Sequence, residues 1–340
     1  MKKRLNLNIN PLVALLTTFF VCGKNAVYKT KDFAYRLIQS AIENQSLEAM
    51  FKLTGYISAD RVLDKIHRIT NEEINKLAEK VNRNLKLPKK VILAIDFNDK
   101  EYYGDKNHPW VMGSKGGRYV RRVIELSLVK QALFINAFLV NQLTNNKVKL
   151  IRQLIDGFYR LFDSKLELLL VDRAFFTKAV IAYLIENRIK FIMPVIKNKA
   201  ILPLAEQFRR EWLPDKIEYE FGKYKINLLF LKVNGEVLVY ATNTKYSPLK
   251  AHFLYRKRWQ IETNFREQNN FTFKTQTTDF SVRYFAFVLA GLLFNLWQLE
   301  RKWRIESYLF KQKLLFELIG LWKGWKKKNV INSIYYLPVT

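Results

Sequence analysis

A mixed α/β architecture, with a central sheet flanked by helices, a small β-rich insertion and helical regions at both ends, is predicted by three features of the sequence. Between residues 88 and 198, short continuous apolar runs of strand length alternate with segments of helical period. Two strand candidates, "VRRVIELSLV" and "ALFINAFLV", follow the first apolar run without an intervening helix, the order of an antiparallel meander. The stretches before residue 88 and after residue 248 keep a helical period. A chain of 340 residues that is 49% hydrophobic has enough apolar surface for one large domain with insertions, or for two domains.

The elements follow in chain order. "PLVALLTTFFVCG" is too short to span a bilayer and reads as a buried helix. "SADRVLDKIHRI" opens on Ser58, and "TNEEINKLAEKVNRNL" opens on a capping box, Thr70 with Glu73 three residues on. This pair is either a helix-turn-helix joined at Thr70 or part of a plain helical bundle. After Pro88 the run "KKVILAIDF" has the continuous apolarity of a strand buried on both faces, ending at Asp96. The glycine-rich "NDKEYYGDKNHPWVMGSKGGRY" and the meander strands come next. "NNKVKLIRQLIDGFYRLF" carries apolar residues at Val148, Ile151, Leu154, Ile155, Phe158 and Leu161, a helical spacing. "KLELLLVD", "FFTKAVIAYLIEN" and "IKFIMPVI" then form a βαβ unit. From about 198 to 247 short strands joined by an Asn234-Gly235 hairpin read as the insertion. "YFAFVLAGLLFNLWQL" is long and apolar, but Asn295 and Gln298 favour a core helix over a membrane span. The chain is therefore expected to be cytoplasmic, with no membrane partner.

Lys and Arg number 58 against 30 Asp and Glu, a net charge of +28 spread along the chain. Solubility needs far less, so an anionic partner is expected, nucleic acid first because each neutralised phosphate releases counterions. One cysteine and three scattered histidines exclude a disulfide framework and a zinc site.

Asp96 and Asp172 each follow an apolar strand, and carboxyl ends of strands are where α/β sheets place ligands. In "YRKRWQIETNFREQNN", at helical spacing, Tyr255, Arg258 and Glu262 fall within an arc of roughly 60°, beside an apolar stripe of Leu254, Ile261 and Phe265. That face is either a solvated ladder of charges or the wall of a site. Acidic oxygens with few histidines suit Mg²⁺ or Mn²⁺, and two such ions about 4 Å apart stabilise an in-line phosphoryl transfer. Asp99 is a rival first ligand, but on a strand it faces away from Asp96. "GSKGGRYVRR" offers Lys115, Arg118, Arg121 and Arg122 as phosphate contacts, or is a plain hairpin tip. Trp110, Trp259 and Trp303 are candidates for stacking on bases.

With "AIDFND" around Asp96, "VDRAFF" around Asp172, and Tyr255, Arg258 and Glu262 spaced as in a Tyr-Arg-Glu-Lys signature, the chain resembles DDE transposases of prokaryotic insertion sequences. The resemblance covers about residues 88 to 300. It implies an RNase H-like catalytic domain at 89–300 with the insertion inside it; outside its reach, residues 1–88 read as a helical N-terminal region, a candidate for binding DNA ends, and 301–340 as a basic helical C-terminal region. It further implies two Mg²⁺ or Mn²⁺ ions held by Asp96, Asp172 and Glu262, cleavage of double-stranded DNA at transposon ends, and joining of the freed 3′ hydroxyl to target DNA by a homodimer at the nucleoid. Arg258 and Tyr255 are then expected near the cleaved strand. Where the signature has lysine this chain has Asn269, on the same helical arc as Glu262, and Arg266 lies there too. Competing expectations are a metal-dependent nuclease of the same fold and a non-catalytic nucleic-acid-binding protein.

Overall fold

The computed structural model describes residues 9–20, 22–113, 117–143, 145–301 and 306–325. Contacts divide the chain into two compact units, Leu85–Phe265 and a second formed by Met1–Asn84 with Arg266–Thr340.

Leu85–Phe265 is built on one sheet of nine strands among the described residues, with β1 (Lys90–Glu101) as its pivot. On one side β1 pairs antiparallel with β3 (Tyr119–Leu128), whose far edge carries the short β2 (Val111–Gly113) and β4 (Leu133–Leu139). On the other side β1 pairs parallel with β5 (Lys165–Val171), and β5 pairs parallel with β6 (Phe191–Pro194). An antiparallel meander leading into parallel strands is the mixed sheet expected of an RNase H-like domain. The parallel steps are made by α6 (Lys147–Leu161), capped by Asn146, and α7 (Lys178–Glu186), capped by Thr177.

Two expectations are corrected. β1 does not stop at Asp96 but runs on to Glu101, because Asn98, Asp99 and Lys100 find partners in Val123, Arg122 and Arg121 of β3. A polar strand end is held in place by its neighbour, which an apolar run cannot reveal. The insertion, for its part, is not a separate β element. It begins with a helix, α8 (Ile201–Arg209), and its strands β7 (Lys216–Phe221), β8 (Tyr224–Val233) and β9 (Glu236–Thr242) extend the main sheet, β9 pairing antiparallel with β6. β9 is buried along most of its length, so it belongs inside a sheet. The β8–β9 turn is the expected Asn234-Gly235, both residues at positive φ (49° and 80°).

Strand alternation sorts the sheet's side chains onto two cores. Val91, Leu93 and Ile95 of β1 with Leu169 and Val171 of β5 pack on the face that also holds α6 and α7 residues such as Leu154, Phe158, Val180 and Leu184. Ala94, Leu168 and Leu170 point to the other face, against Ala251 and Ile261 with Leu254, Tyr255 and Phe265 alongside. These last residues belong to α9 (Pro248–Arg256) and α10 (Trp259–Gln268).

The second unit is helical among its described residues: α1 (Asn10–Phe19), α2 (Thr30–Glu43), α3 (Leu47–Thr54), α4 (Ala59–His67), α5 (Asn71–Asn82), α11 (Phe280–Arg301) and α12 (Ser307–Trp325). The capping box forms: Thr70 Oγ1 accepts from the Glu73 amide at 3.2 Å and Glu73 accepts from the Thr70 amide at 2.8 Å. α11 is long and apolar enough to cross a membrane, yet 83% of that span is buried inside the chain. Asn295 donates to Asn82 of α5 at 3.0 Å in the interior, and the Tyr284 hydroxyl donates to Asn75. Asn295 and Tyr284 therefore serve helix–helix contact. Packing divides the chain after residue 265 and not at 300, since α11 packs on α2, α4 and α5.

Candidate active site

The parallel register of β1 and β5 ends at Ile95 beside Val171, so the next residue on each strand is an aspartate. Asp96 and Asp172 continue the even-numbered series of Ala94 and Leu170, and both face the side where α9 and α10 pack. Asp99 is on the opposite face, where Arg122 grips it with two hydrogen bonds of 2.7 and 2.6 Å, and so it is removed as a first ligand.

The stretch carrying Tyr255, Arg258 and Glu262 is not one helix. α9 ends at Arg256 and α10 begins at Trp259, with Lys257 and Arg258 in a turn between them. Three-residue hydrogen bonds close this turn, Arg258 N to Tyr255 O at 2.8 Å and Ile261 N to Arg258 O at 2.7 Å. The tighter winding keeps Tyr255, Arg258 and Glu262 on one side, as the uninterrupted helix would have done.

Arg258 reaches between all three carboxylates. Its Nη1 donates to Asp96 Oδ2, its Nη2 donates to Glu262 Oε1 at 3.0 Å, and Asp172 Oδ1 is 3.8 Å from Nη2. The other oxygens of the aspartates are tied to main chain: Asp96 Oδ1 accepts from the Phe97 amide at 2.9 Å and Asp172 Oδ2 from the Ala174 amide at 3.1 Å. One oxygen of each aspartate is thus fixed and the other aimed at a common point. The ring of Tyr255 supports the guanidinium, its centroid 5.3 Å from Arg258 Cζ, and itself packs 5.4 Å from the ring of Tyr240, whose hydroxyl bonds His252 Nδ1 at 2.8 Å.

The electrostatics follow from this burial. Loss of water pushes the Asp96 carboxyl up to about 6 against the pull of Arg258, and the Asp172 and Glu262 charges add to the rise. Burial also opposes the charge on Arg258, but Asp96, Tyr255, Asp172 and Glu262 together hold it above its ordinary value. The Tyr255 phenol is raised chiefly by burial and stays neutral.

Hard, anionic oxygens of this kind suit Mg²⁺ or Mn²⁺. As they stand they hold a guanidinium, and among the described residues no three acidic, histidine or cysteine side chains are drawn tightly enough together to grip a metal ion. In chemical type, three anionic oxygens gathered within 4 Å of one guanidinium fit a divalent cation.

The proposed phosphate contacts are placed less uniformly. Arg118 is exposed and paired with Glu101. Arg121 is buried, and Arg122 is engaged by Asp99 and stacked on Phe97, so neither is a free surface cation. Lys115 and Trp303 lie outside the described residues. Trp259 is exposed next to Arg258, whereas Trp110 is half-buried. Arg266 and Asn269 are exposed and fall in the other compact unit; α10 ends at Gln268 and Asn269 opens a 3₁₀ turn, so the helical arc does not extend to it. One acidic residue escapes a reading by motif. Glu125 of β3 stands directly across from Asp96, is fully buried, and accepts from the Ser127 hydroxyl. The signal was a lone carboxylate inside the largely apolar run "VIELSLV".

A family model described as "Transposase DDE domain" matches residues 87–296. Among solved structures, a cryo-EM structure of the piggyBac transposase synaptic complex with hairpin DNA is similar at a TM-score of 0.67 and 12% identity, over 97% of this chain and 84% of that one. No curated protein matches.

Proposed function

The chain belongs to the transposase DDE-domain family, and from that premise we propose that it cleaves the ends of a mobile DNA element and joins the freed 3′ hydroxyl to target DNA. The observation that carries this reading is the convergence of Asp96, Asp172 and Glu262, from two neighbouring strands and a separate helix, on a single guanidinium. Asp96 and Arg258, 162 residues apart, serve no local structural need that an apolar packing contact would not meet better.

When bound, Mg²⁺ or Mn²⁺ supplies Lewis-acid stabilisation of the entering and leaving oxygens of an in-line displacement. Asp96 and Asp172 would hold it through the oxygens not tied to main chain, and Glu262 would complete the set from α10. The Phe97 and Ala174 amides keep the aspartates from turning, so the ligand oxygens need no reorganisation during the reaction. The net charge of +28 supports double-stranded DNA as the partner, for both the element's ends and the target. Membership of the Tyr-Arg-Glu-Lys branch of prokaryotic insertion sequences, a role for residues 1–88 in end recognition, a homodimer on DNA and a place at the nucleoid complete the proposal.

The test is incubation of the purified chain with Mg²⁺ or Mn²⁺ and DNA carrying the ends that flank its gene. Ion-dependent nicking and a joined product are expected. Asp172→Asn and Glu262→Gln should lose both while still shifting DNA in a gel. Nicking that never yields a joined product would assign a nuclease instead, and nicking by Asp172→Asn at the wild-type rate would remove this site from the reaction.

A further inference from the structure

The carboxylate site comes with a cation of its own. The oxygens left free by the backbone amides, Asp96 Oδ2 and Asp172 Oδ1, and with them Glu262 Oε1, all face the Arg258 guanidinium. These are the atoms that would ligate a divalent ion. Ion and guanidinium therefore compete for the same oxygens.

Three features make Arg258 a removable occupant and not a fixed strut. It lies in the turn between α9 and α10, so its side chain can be re-aimed without unwinding either helix. Its Nε is buried with no hydrogen-bond partner, so the guanidinium is incompletely satisfied where it stands. The pocket opens on one side, the Glu262 side chain being 47% exposed and that of Asp172 27%, against 8% for Arg258. A phosphodiester presents two oxygens in the geometry a carboxylate does, and a guanidinium binds either as a fork.

Resting on the transposase reading above, we propose that Arg258 is a resident counter-ion that closes the metal site in the free protein, and that DNA opens it by taking the guanidinium onto a phosphate. One residue thereby links the two binding events. By reciprocity, DNA must raise the affinity for the ion by the factor through which the ion raises the affinity for DNA.

The experiment measures Mn²⁺ binding by the full chain, read as loss of the free-ion paramagnetic signal, with and without a short duplex of arbitrary sequence, the ion bound by duplex alone being subtracted. Wild type should bind Mn²⁺ about tenfold or more tightly with DNA than without it, within the usual range of coupling between sites. Arg258→Gln should bind it without DNA about as tightly as DNA-bound wild type, and DNA should add little. Equal Mn²⁺ affinity of free wild type and free Arg258→Gln would overturn the counter-ion role. Should that variant fail to fold, wild type alone decides, because an ion affinity unmoved by DNA overturns the proposal as well. Asp172→Asn separates this from the underlying reading: if it binds Mn²⁺ as wild type does in the presence of DNA, the ion is elsewhere, and the assigned reaction site falls together with the switch.

Discussion

Asp96→Asn should reverse a stability cost that the folded chain carries only above acid pH. The carboxyl rises from 3.8 to about 6 on folding, mainly through burial. Below pH 4 folded and unfolded chains both keep the proton, and Asn, nearly isosteric with the protonated acid, changes little. As pH rises through 6, the folded chain must ionise a group that the unfolded chain ionised earlier, so stability present in acid is lost. A rise of roughly two pH units, at about 1.4 kcal/mol each, sets the loss at roughly 3 kcal/mol at neutral pH. Asp96→Asn escapes it. In the absence of divalent ions the variant should therefore gain about that much on wild type between about pH 4 and pH 7, with the titration of other groups cancelling in the difference. Hydrogen exchange at the β1 amides, read by mass spectrometry, follows the opening of this unit apart from the helical one. A difference between the two proteins that stays constant with pH, or one that moves toward wild type as pH rises, would refute the reasoning.

Three further outcomes are expected. Tyr255→Phe keeps the ring beneath Arg258 and should bind Mn²⁺ without DNA as wild type does, whereas Tyr255→Leu gives up a cation–π contact worth about 1 kcal/mol that holds Arg258 on the carboxylates and should bind the ion about fivefold more tightly without DNA; equal affinities for the two would show that the ring has no part in holding Arg258. Gly235 sits at φ 80° with open space around its α-carbon, so Gly235→Ala should cost about 1 kcal/mol in a melting experiment through backbone strain alone, leaving Mn²⁺ affinity unchanged. Binding to a non-cognate duplex should weaken steeply as salt rises, because dispersed lysine and arginine contact phosphates; a flat profile in a fluorescence anisotropy titration would argue against a phosphate-led interface.

The sheet's centre was legible in the sequence because buried strands are written as uninterrupted apolar runs: "VILAI" and "LLLV" gave β1 and β5, and the aspartate after each gave the site. What escaped depends on pairing. The extension of β1 past Asp96 is held by β3 and carries polar residues, so no local signal marks it. The union of β7, β8 and β9 with the main sheet rests on β6 meeting β9, a contact made by residues about 50 positions apart. The break between α9 and α10 contains neither proline nor glycine, and the spacing of Tyr255, Arg258 and Glu262 reads alike with or without it. Arg258 was expected at DNA; that the free chain folds it onto the carboxylates follows from burial, which removes water as a competitor for its charge, and burial is a property of the assembled fold.

The continuation of the sheet through β9, β8 and β7 has a bearing on how this protein can be engineered. A strand at a sheet's margin offers a row of unsatisfied amides and carbonyls, and it frays. Here three extra strands displace that margin by about 14 Å from β6, at the usual inter-strand spacing, and the exposed border becomes β7, where Glu218 and Glu220 alternate with half-buried Tyr219 and Phe221. The chain then passes straight from β9 into α9 and on to Arg258 and Glu262. Deleting 198–247 as a dispensable loop would strip β6 of its neighbour and cut the lead that delivers the third carboxylate. Chimeras that exchange this segment between related enzymes should keep the β6–β9 seam and the β9–α9 junction, and vary only the outer hairpin of β7 and β8.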